Sequence, residues 1–401
     1  MATPTPATAP ARSGADRCPG LLSPFVSADG AMVRLRVPGG WLPTATLRAV
    51  SALAGTHGDP DLTLTSRGSL QLRGLPEVLP AEIITTVGEL GLVPSAAHDR
   101  ARNIVADPGD PQVRAMVAAL DAALLADDVA AGLPGRFLLA VAGPDGPVLA
   151  EPWDLAVVVD AADTAQATVL VDGRSLTVPA ARAPQVVLAV IHRFLAARPG
   201  ARAWNVADLA ADVRAGLLPG SVPASPHPAA PPLPGPLPGA TTETAPDRGL
   251  LALAPLGLLT PPQVDALAEV AAEVQLTPWR AVLVPVADGA AGTDSSTSDV
   301  PERLTASGLV LDPSSPWTVL SACAGAPGCA RTDVPTRDIA REAAPRIDPA
   351  GPPVHVIGCE RACGHPAREH LRVDSPAGPD AVLAAQRAMM TRSRTTDQED
   401  R

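Results

Sequence analysis

The stretch DLTLTSRGSLQLRG, residues 61–74, places leucines at every second position on both sides of a Ser-Arg-Gly turn. Leu62 and Leu64, then Leu70 and Leu72, point one way, which predicts two strands with one buried face joined by a tight turn. Thr63, Thr65, Ser69, Gln71 and Arg73 lie opposite them, and Arg67 sits in the turn. A polar, guanidinium-bearing face therefore backs a core strand. Arg34 and Arg36, in MVRLRVPGG, alternate the same way. Charges on one side of a sheet are ordinarily solvated; several arginines converging on one surface suit a ligand with many carboxylates, which guanidinium binds bidentately.

Upstream of this stretch, Leu47, Val50 and Leu53 recur at helical spacing behind Thr44, read as a helix cap. The same order returns in LGLLTPPQVDALAEVAAEVQLTPWRAVLVPV, residues 256–286. There Thr260 caps, Pro261 takes the favoured first helical position, and Val264, Leu267 and Val270 form the stripe. Val274, Leu276, Val282 and Val284 then alternate, and each copy has a threonine and an arginine about its turn. A unit of strand, helix, strand, turn and strand is thus present twice, and duplicated half-domains place their ligand at the join.

Between the copies, LPGRFLLAV, DLAVVV and ATVLVDGRSLTV read as strands and APQVVLAVIHRFLAA as a helix, an α/β layer with Arg136 inside an otherwise apolar strand. LVPSAAHDRARNIVADPG joins this layer to the first copy and adds Arg100 and Arg102. Residues 219–249 are Pro-rich with almost no large apolar side chain, a polyproline-like spacer. The reading divides the chain into a disordered leader (1–20), a first half-domain (21–99), a first α/β domain (100–216), a linker (217–248), a second half-domain (249–300), a second α/β domain (301–388) and a disordered tail (389–401).

The formal net charge of −11 argues against a general nucleic-acid binder, and no apolar run reaches the ~18 residues of a membrane-spanning helix. The N-terminal stretch has no continuous apolar region, so a cytoplasmic protein is expected. There is no lysine, so every fixed side-chain cation is an arginine.

In a reducing compartment cysteines serve as ligands, catalysts or core residues more often than as disulfides. Cys323 and Cys329 are separated by five residues, Cys359 and Cys363 by three, and only Cys18 lies outside this group. Four thiols in two local pairs suit a zinc ion or an iron–sulfur cluster. The wide first gap, Ala-Gly-Ala-Pro-Gly, lets the backbone approach a bulky cofactor and leaves N–H groups to donate to sulfide; it weights the choice toward iron and sulfur, then zinc, then a disulfide.

CAGAPGC followed by VHVIGCERACGHP resembles the cluster signature of the nitrite and sulfite reductase family, and DLTLTSRGSLQLRG, RNIVADP and LPGRF resemble that family's half-domain and the segments after it. The resemblance runs from about residue 22 to 375. It implies an α+β, duplicated fold with two ferredoxin-like half-domains and two α/β layers, the second holding a 4Fe–4S cluster on Cys323, Cys329, Cys359 and Cys363. Within the family, Thr336-Arg337 after the first cysteine pair and His365-Pro366 after the second are most similar to the branch that oxygenates a precorrin in aerobic cobalamin biosynthesis.

That branch implies a monooxygenase taking a tetrapyrrole and O2, with electrons from an NADH-linked donor and a mononuclear non-haem iron beside the cluster instead of sirohaem. Arg67, Arg73, Arg102 and Arg136 fall where the reductases bind sirohaem carboxylates, and here would bind those of the substrate. Arg337, and Arg331 before it, would contact substrate carboxylates or offset cluster charge. His365 is the candidate for catalysis, with His355 and His370 nearby. Leu138 stands where sulfite reductases carry a second basic residue. Two other readings remain: a sirohaem-dependent nitrite or sulfite reductase, and a non-catalytic redox sensor or tetrapyrrole-binding protein.

Overall fold

The alternation of residues 61–74 appears as two strands in the computed structural model, which describes residues 16–160, 163–198, 202–224, 238, 249–285, 299–366 and 368–399. The first repeat comprises β1 (Phe25–Ser27), β2 (Gly30–Leu35), β3 (Trp41–Pro43), α1 (Thr44–His57), β4 (Leu62–Leu64), β5 (Leu70–Leu75) and α2 (Ala81–Glu89). The α/β layer follows, with β6 (Ile104–Ala106), α3 (Pro111–Leu125), β7 (Leu139–Ala142), β8 (Leu155–Val159), β9 (Gln166–Val171), β10 (Arg174–Pro179), α4 (Ala183–Ala197), α5 (Ala211–Ala215) and β11 (Val222–Pro223). Its sheet runs β11-β10-β9-β8-β7-β6, and α3 and α4 pack into a single core with it. Near-continuous apolar strands such as 155–159 are what a sheet covered on both faces requires.

The second repeat comprises β12 (Gly249–Leu253), β13 (Leu258–Leu259), α6 (Pro261–Val270), β14 (Glu273–Leu276), β15 (Ala281–Pro285) and α7 (Val300–Ala306). The last layer has β16 (Leu320–Ala322), α8 (Thr336–Ala343), β17 (Val354–Ile357), β18 (Leu371–Asp374) and α9 (Pro379–Glu399), with the three strands parallel in the order β16-β17-β18. Among the described residues no helix is long and apolar enough to cross a membrane.

Each repeat lends a short strand to the other's sheet. β3 pairs with β14, Leu42 opposite Val274, and β13 pairs with β4, Leu259 opposite Leu62. The resulting sheets, β1-β2-β5-β4-β13 and β12-β15-β14-β3, share one core in which Leu47, Val50, Leu62 and Leu72 meet Val264, Leu267, Val274 and Val284. The backbones match position by position. Gly39 (φ 68°) corresponds to Leu256 (φ 57°), Gly40 (φ 86°) to Gly257 (φ 73°), and Gly68 (φ 58°) to Arg280 (φ 59°). Thr65 N donates to Ser69 O and Thr277 N to Ala281 O, each at 3.0 Å. This register puts Trp279, not Arg280, at the place of Arg67.

Several expectations change. Thr260 does cap its helix, in a reciprocal box with Gln263, but Thr44 is already inside α1. Its hydroxyl instead donates to the carbonyls of Ala271 (2.7 Å) and Ala272 (3.1 Å) in the other repeat. Arg136 lies before the strand that begins at Leu139, outside the apolar ladder. The polar back of β5 is covered: Gln71 and Arg73 are both 7% exposed. Leu217 and Leu218, placed in the linker by composition, are buried in the core of the α/β layer, and the chain stays paired through Val222–Pro223. α7 packs its Leu304 into the shared core of the repeats, so a boundary at 301 would cut it from its unit. α9 continues to Glu399, through the stretch that composition assigns to a disordered tail. The leader up to residue 15, most of the Pro-rich spacer (225–237 and 239–248) and residues 286–298 lie outside the described residues.

Candidate functional site at the join of the repeats and the cysteine loops

β16 and β17 are parallel neighbours, with Ala322 opposite Val356, so their C-terminal ends open side by side. Loops leaving that edge of a parallel sheet are where such folds bind ligands. Cys323 follows β16 directly, its N–H bonded to Val356 O at 2.9 Å, and Cys359 follows β17. All five cysteines of the chain are free thiols, which removes the disulfide reading. Cys323 is buried with Ile357 and Ala362, Cys329 and Cys359 are half-buried, and Cys363 is at the rim. Burial pushes the Cys363 thiol up first, and negative charge at Cys323, Cys359 and Cys329 pushes it further, so the four sulfurs lie within reach of one another's charge.

One arginine from each repeat grips one cysteine loop. Arg73 pairs bidentately with Asp29, Nε to Oδ2 at 2.9 Å and Nη2 to Oδ1 at 3.1 Å, and donates from Nη2 to Gly328 O at 2.6 Å. Ser27 Oγ donates to the same carbonyl at 2.9 Å. From the second repeat, Arg280 Nη2 donates to Gly364 O. Thr336 ties the first loop down from within, its hydroxyl donating to Cys323 O at 2.9 Å. A Cβ at Gly325 would lie 2.3 Å from Thr336 Oγ1, which explains glycine there.

The predicted cations do not form one group. Arg67 stands at the tip of the β4–β5 turn with its Nε buried and unpartnered. Burial, then the charges of Arg34 and Arg136, lower its pKa, while Cys18 and Asp154 oppose the shift. Arg136 is half-exposed, stacked over Trp204 with its carbon 5.1 Å from the ring centre and its Nε 3.9 Å from Asp16. Cys18, which has no partner in sequence, receives Arg34 Nη1 at 3.2 Å and Arg36 Nη2 at 3.5 Å.

Arg73 and Arg102 do not join this group. Arg73 is committed to the loop clamp, and Arg102 makes a buried fork on Asp121 with both bonds at 2.7 Å. A guanidinium so engaged is not available to a ligand without breaking a desolvated pair. Arg337 belongs with the cysteine loops: its Nε is buried without a partner, and its pKa is lowered by burial and then by Arg73. Arg280 is lowered to about 10 by burial and by the neighbouring Arg337 and Arg368. Neither Arg280 nor Arg368 is singled out by the sequence; the register with Gly68 is what brings Arg280 to the join.

Of the histidines, His355 is fully buried. Its Nε2 donates to Cys363 O at 3.2 Å, which leaves Nδ1 to accept from Ser321 Oγ at 2.9 Å. Burial, then the charge of Arg280, holds its pKa at about 3, so it stays neutral. His365 is exposed and turns Nδ1 to Pro366 O at 3.0 Å; its ring lies 5.7 Å from that of His370. Among the described residues no three His, Cys, Asp or Glu side chains gather closely enough to hold a single metal ion, whether zinc or a mononuclear iron. Four thiols spread over two loops, with small residues between them and backbone clamped from both sides, fit a larger polynuclear group. Cys323, Cys329, Cys359 and Cys363 are the residues that would hold a 4Fe–4S cluster, which passes single electrons.

A model of the nitrite/sulfite reductase ferredoxin-like half domain matches residues 26–84, the stretch from β1 into α2. Sulfite reductase (ferredoxin) of Synechococcus elongatus is 38% identical over 78 residues, which cover 19% of this chain and 12% of that protein. The structure of the Mycobacterium tuberculosis NirA protein superposes with a TM-score of 0.65 at 19% identity, covering 88% of this chain and 73% of that one. Residues 26–84 therefore form a half-domain of the nitrite/sulfite reductase type, and the superposed 88% of the chain has the NirA fold.

Proposed function

We propose that this chain is an iron–sulfur oxidoreductase whose tetrapyrrole is a substrate, and that it is precorrin-3B synthase: a monooxygenase that takes precorrin-3A and O2 to a hydroxylated γ-lactone, with electrons from an NADH-linked donor. The observation that carries the reading is the group Arg34, Arg67 and Arg136 about the β4–β5 turn, three guanidiniums of which Arg34 and Arg67 each have a buried, unsatisfied Nε. A macrocycle with acetate and propionate arms supplies the carboxylates such donors need. Leu138 supports substrate oxygenation over reduction of a small anion. It is 1% exposed, packed among Val105, Ala140, Ala156 and Leu170, so the position carries a core side chain and no cation.

The second reading is a sirohaem-dependent nitrite or sulfite reductase, favoured by the half-domain match and by the names of the similar proteins. One experiment separates the two. The anaerobically purified chain, given precorrin-3A and a chemical reductant under isotopically labelled dioxygen, is expected to yield a lactone carrying one labelled oxygen. Sirohaem absorption bands with turnover of sulfite or nitrite, and none of precorrin, would overturn the proposal.

A further inference from the structure

Glu151 has no role in any of the foregoing, yet it lines a cavity of about 120 Å³ between the two turns of the repeats and the loop after Cys363. It follows a short helical turn, Pro147–Ala150, and is 8% exposed. Oε1 accepts the indole N–H of Trp279 at 2.9 Å. No arginine or histidine among the described residues comes within ion-pair distance of it, and no second donor reaches it. The charged and titratable groups facing it are Arg67 from the β4–β5 turn, Arg280 from the β14–β15 turn, and His365 and Arg368 from the loop after Cys363. Ser66, Trp279, Trp317 and Leu320 contribute to the wall, the rest of which is mostly apolar, from Leu251 and Leu253 of β12 to Pro238 of the Pro-rich spacer.

A buried carboxyl with one neutral donor and no counter-ion retains its proton more readily than a solvated one. Burial lifts Glu151 to about 7, against the opposing pull of the Trp279 bond and of Arg67. Asp154 is also raised, to about 6, but its carboxylate is taken up by Leu138 N, Val206 N and Asn205, so it has no oxygen to offer. Glu151 is different: Oε1 holds the Trp279 N–H, Oε2 has no hydrogen-bond partner among the described residues, and the residue lines the cavity.

We propose that Glu151 is the proton donor of this site, passing its proton to an oxygen atom on the edge of a tetrapyrrole whose rim alone enters the cavity between the two turns, with Trp279 as its positioning residue. In the step the carboxyl O–H bond breaks and an O–H bond forms on the ligand. The carboxylate left behind keeps the Trp279 N–H, no electron moves, and water returns the proton. The identity of the ligand rests on the proposed function; the protonation of Glu151 does not.

The test has two arms on the full chain. In the first, the carboxylic-acid infrared band is followed against pH, taking Glu151→Gln as the blank. A band that persists above pH 6 and disappears near 7, absent from Glu151→Gln and moved to higher pH in Trp279→Phe, is expected; loss of the band in the ordinary glutamate range near 4.5 overturns the proposal. In the second arm, Glu151→Gln is expected to lower kcat on precorrin-3A about a hundredfold and to lose the alkaline limb of the wild-type pH profile, while Glu151→Asp keeps the limb. A wild-type rate and profile in Glu151→Gln overturns it. If the wild-type chain does not turn over precorrin-3A, the proposed function fails and the infrared titration alone decides the role of Glu151.

Discussion

The two repeats share a backbone and differ in what they place on it. Two left-handed positions of the first, Gly39 and Gly68, are Leu256 and Arg280 in the second, side chains held where the backbone costs on the order of 1–2 kcal/mol. Each departure is occupied. Leu256 is buried in the core of the layer that carries the cysteines, and Arg280 reaches the carbonyl of Gly364 beside Cys363. At the turn tips, Arg67 in the first repeat is a half-buried cation whose buried Nε has no partner, and Trp279 in the second is an indole bonded to Glu151. Duplication supplies the frame, and the places where the second copy breaks the first copy's rules mark its contacts with the cysteine layer and the cavity.

The comparison can be broken most sharply at Arg73. Arg73→Ala removes one half of a buried pair and frees the Gly328 carbonyl, so a loss of about 3–5 kcal/mol is expected in urea unfolding, with faster proteolysis of the 323–329 loop. Next come the paired glycines that face the other repeat's backbone. A Cβ at Gly40 would meet Leu276 O at 2.0 Å, whereas one at Gly257 first meets the flexible Arg280 Cδ at 2.7 Å and Leu64 O at 3.3 Å. Gly40→Ala is expected to cost about 3 kcal/mol and Gly257→Ala roughly half of that; equal melting shifts would contradict the asymmetry. Smaller effects of about 1 kcal/mol are expected for Thr260→Ala and Thr44→Ala. The first frays its own helix, while the second loosens the distant Ala271–Ala272 segment, a difference that amide hydrogen exchange reads directly.

Much of this frame is legible in the sequence, because period-two leucines and a period-three stripe are direct images of buried faces. The exchange of β3 and β13 is not, since a strand of two or three residues has no periodicity of its own. Nor does sequence tell a cap from an anchor: Thr44 and Thr260 look alike until their partners are known. At the site, the spacing of the four cysteines marks the two loops after β16 and β17, whereas the arginines do not sort themselves. Arg73 and Arg102 carry the same motif-borne expectation as Arg67, and only the positions of Asp29 and Asp121 show that they are already paired. Glu151 leaves no trace in sequence, because its character comes from burial and from an indole 128 residues away.

The central claim is that the ends of β16 and β17 hold a cluster at the join of the repeats, and chemical analysis tests it most directly. The anaerobically purified full chain should contain iron and acid-labile sulfide in equal amounts and give, once reduced, the electron paramagnetic resonance of a 4Fe–4S cluster. Both should be lost on replacing Cys323, Cys329, Cys359 or Cys363 by serine and kept on replacing Cys18. Zinc in place of iron, or a cluster that survives loss of Cys323 and Cys359 together, would contradict the account.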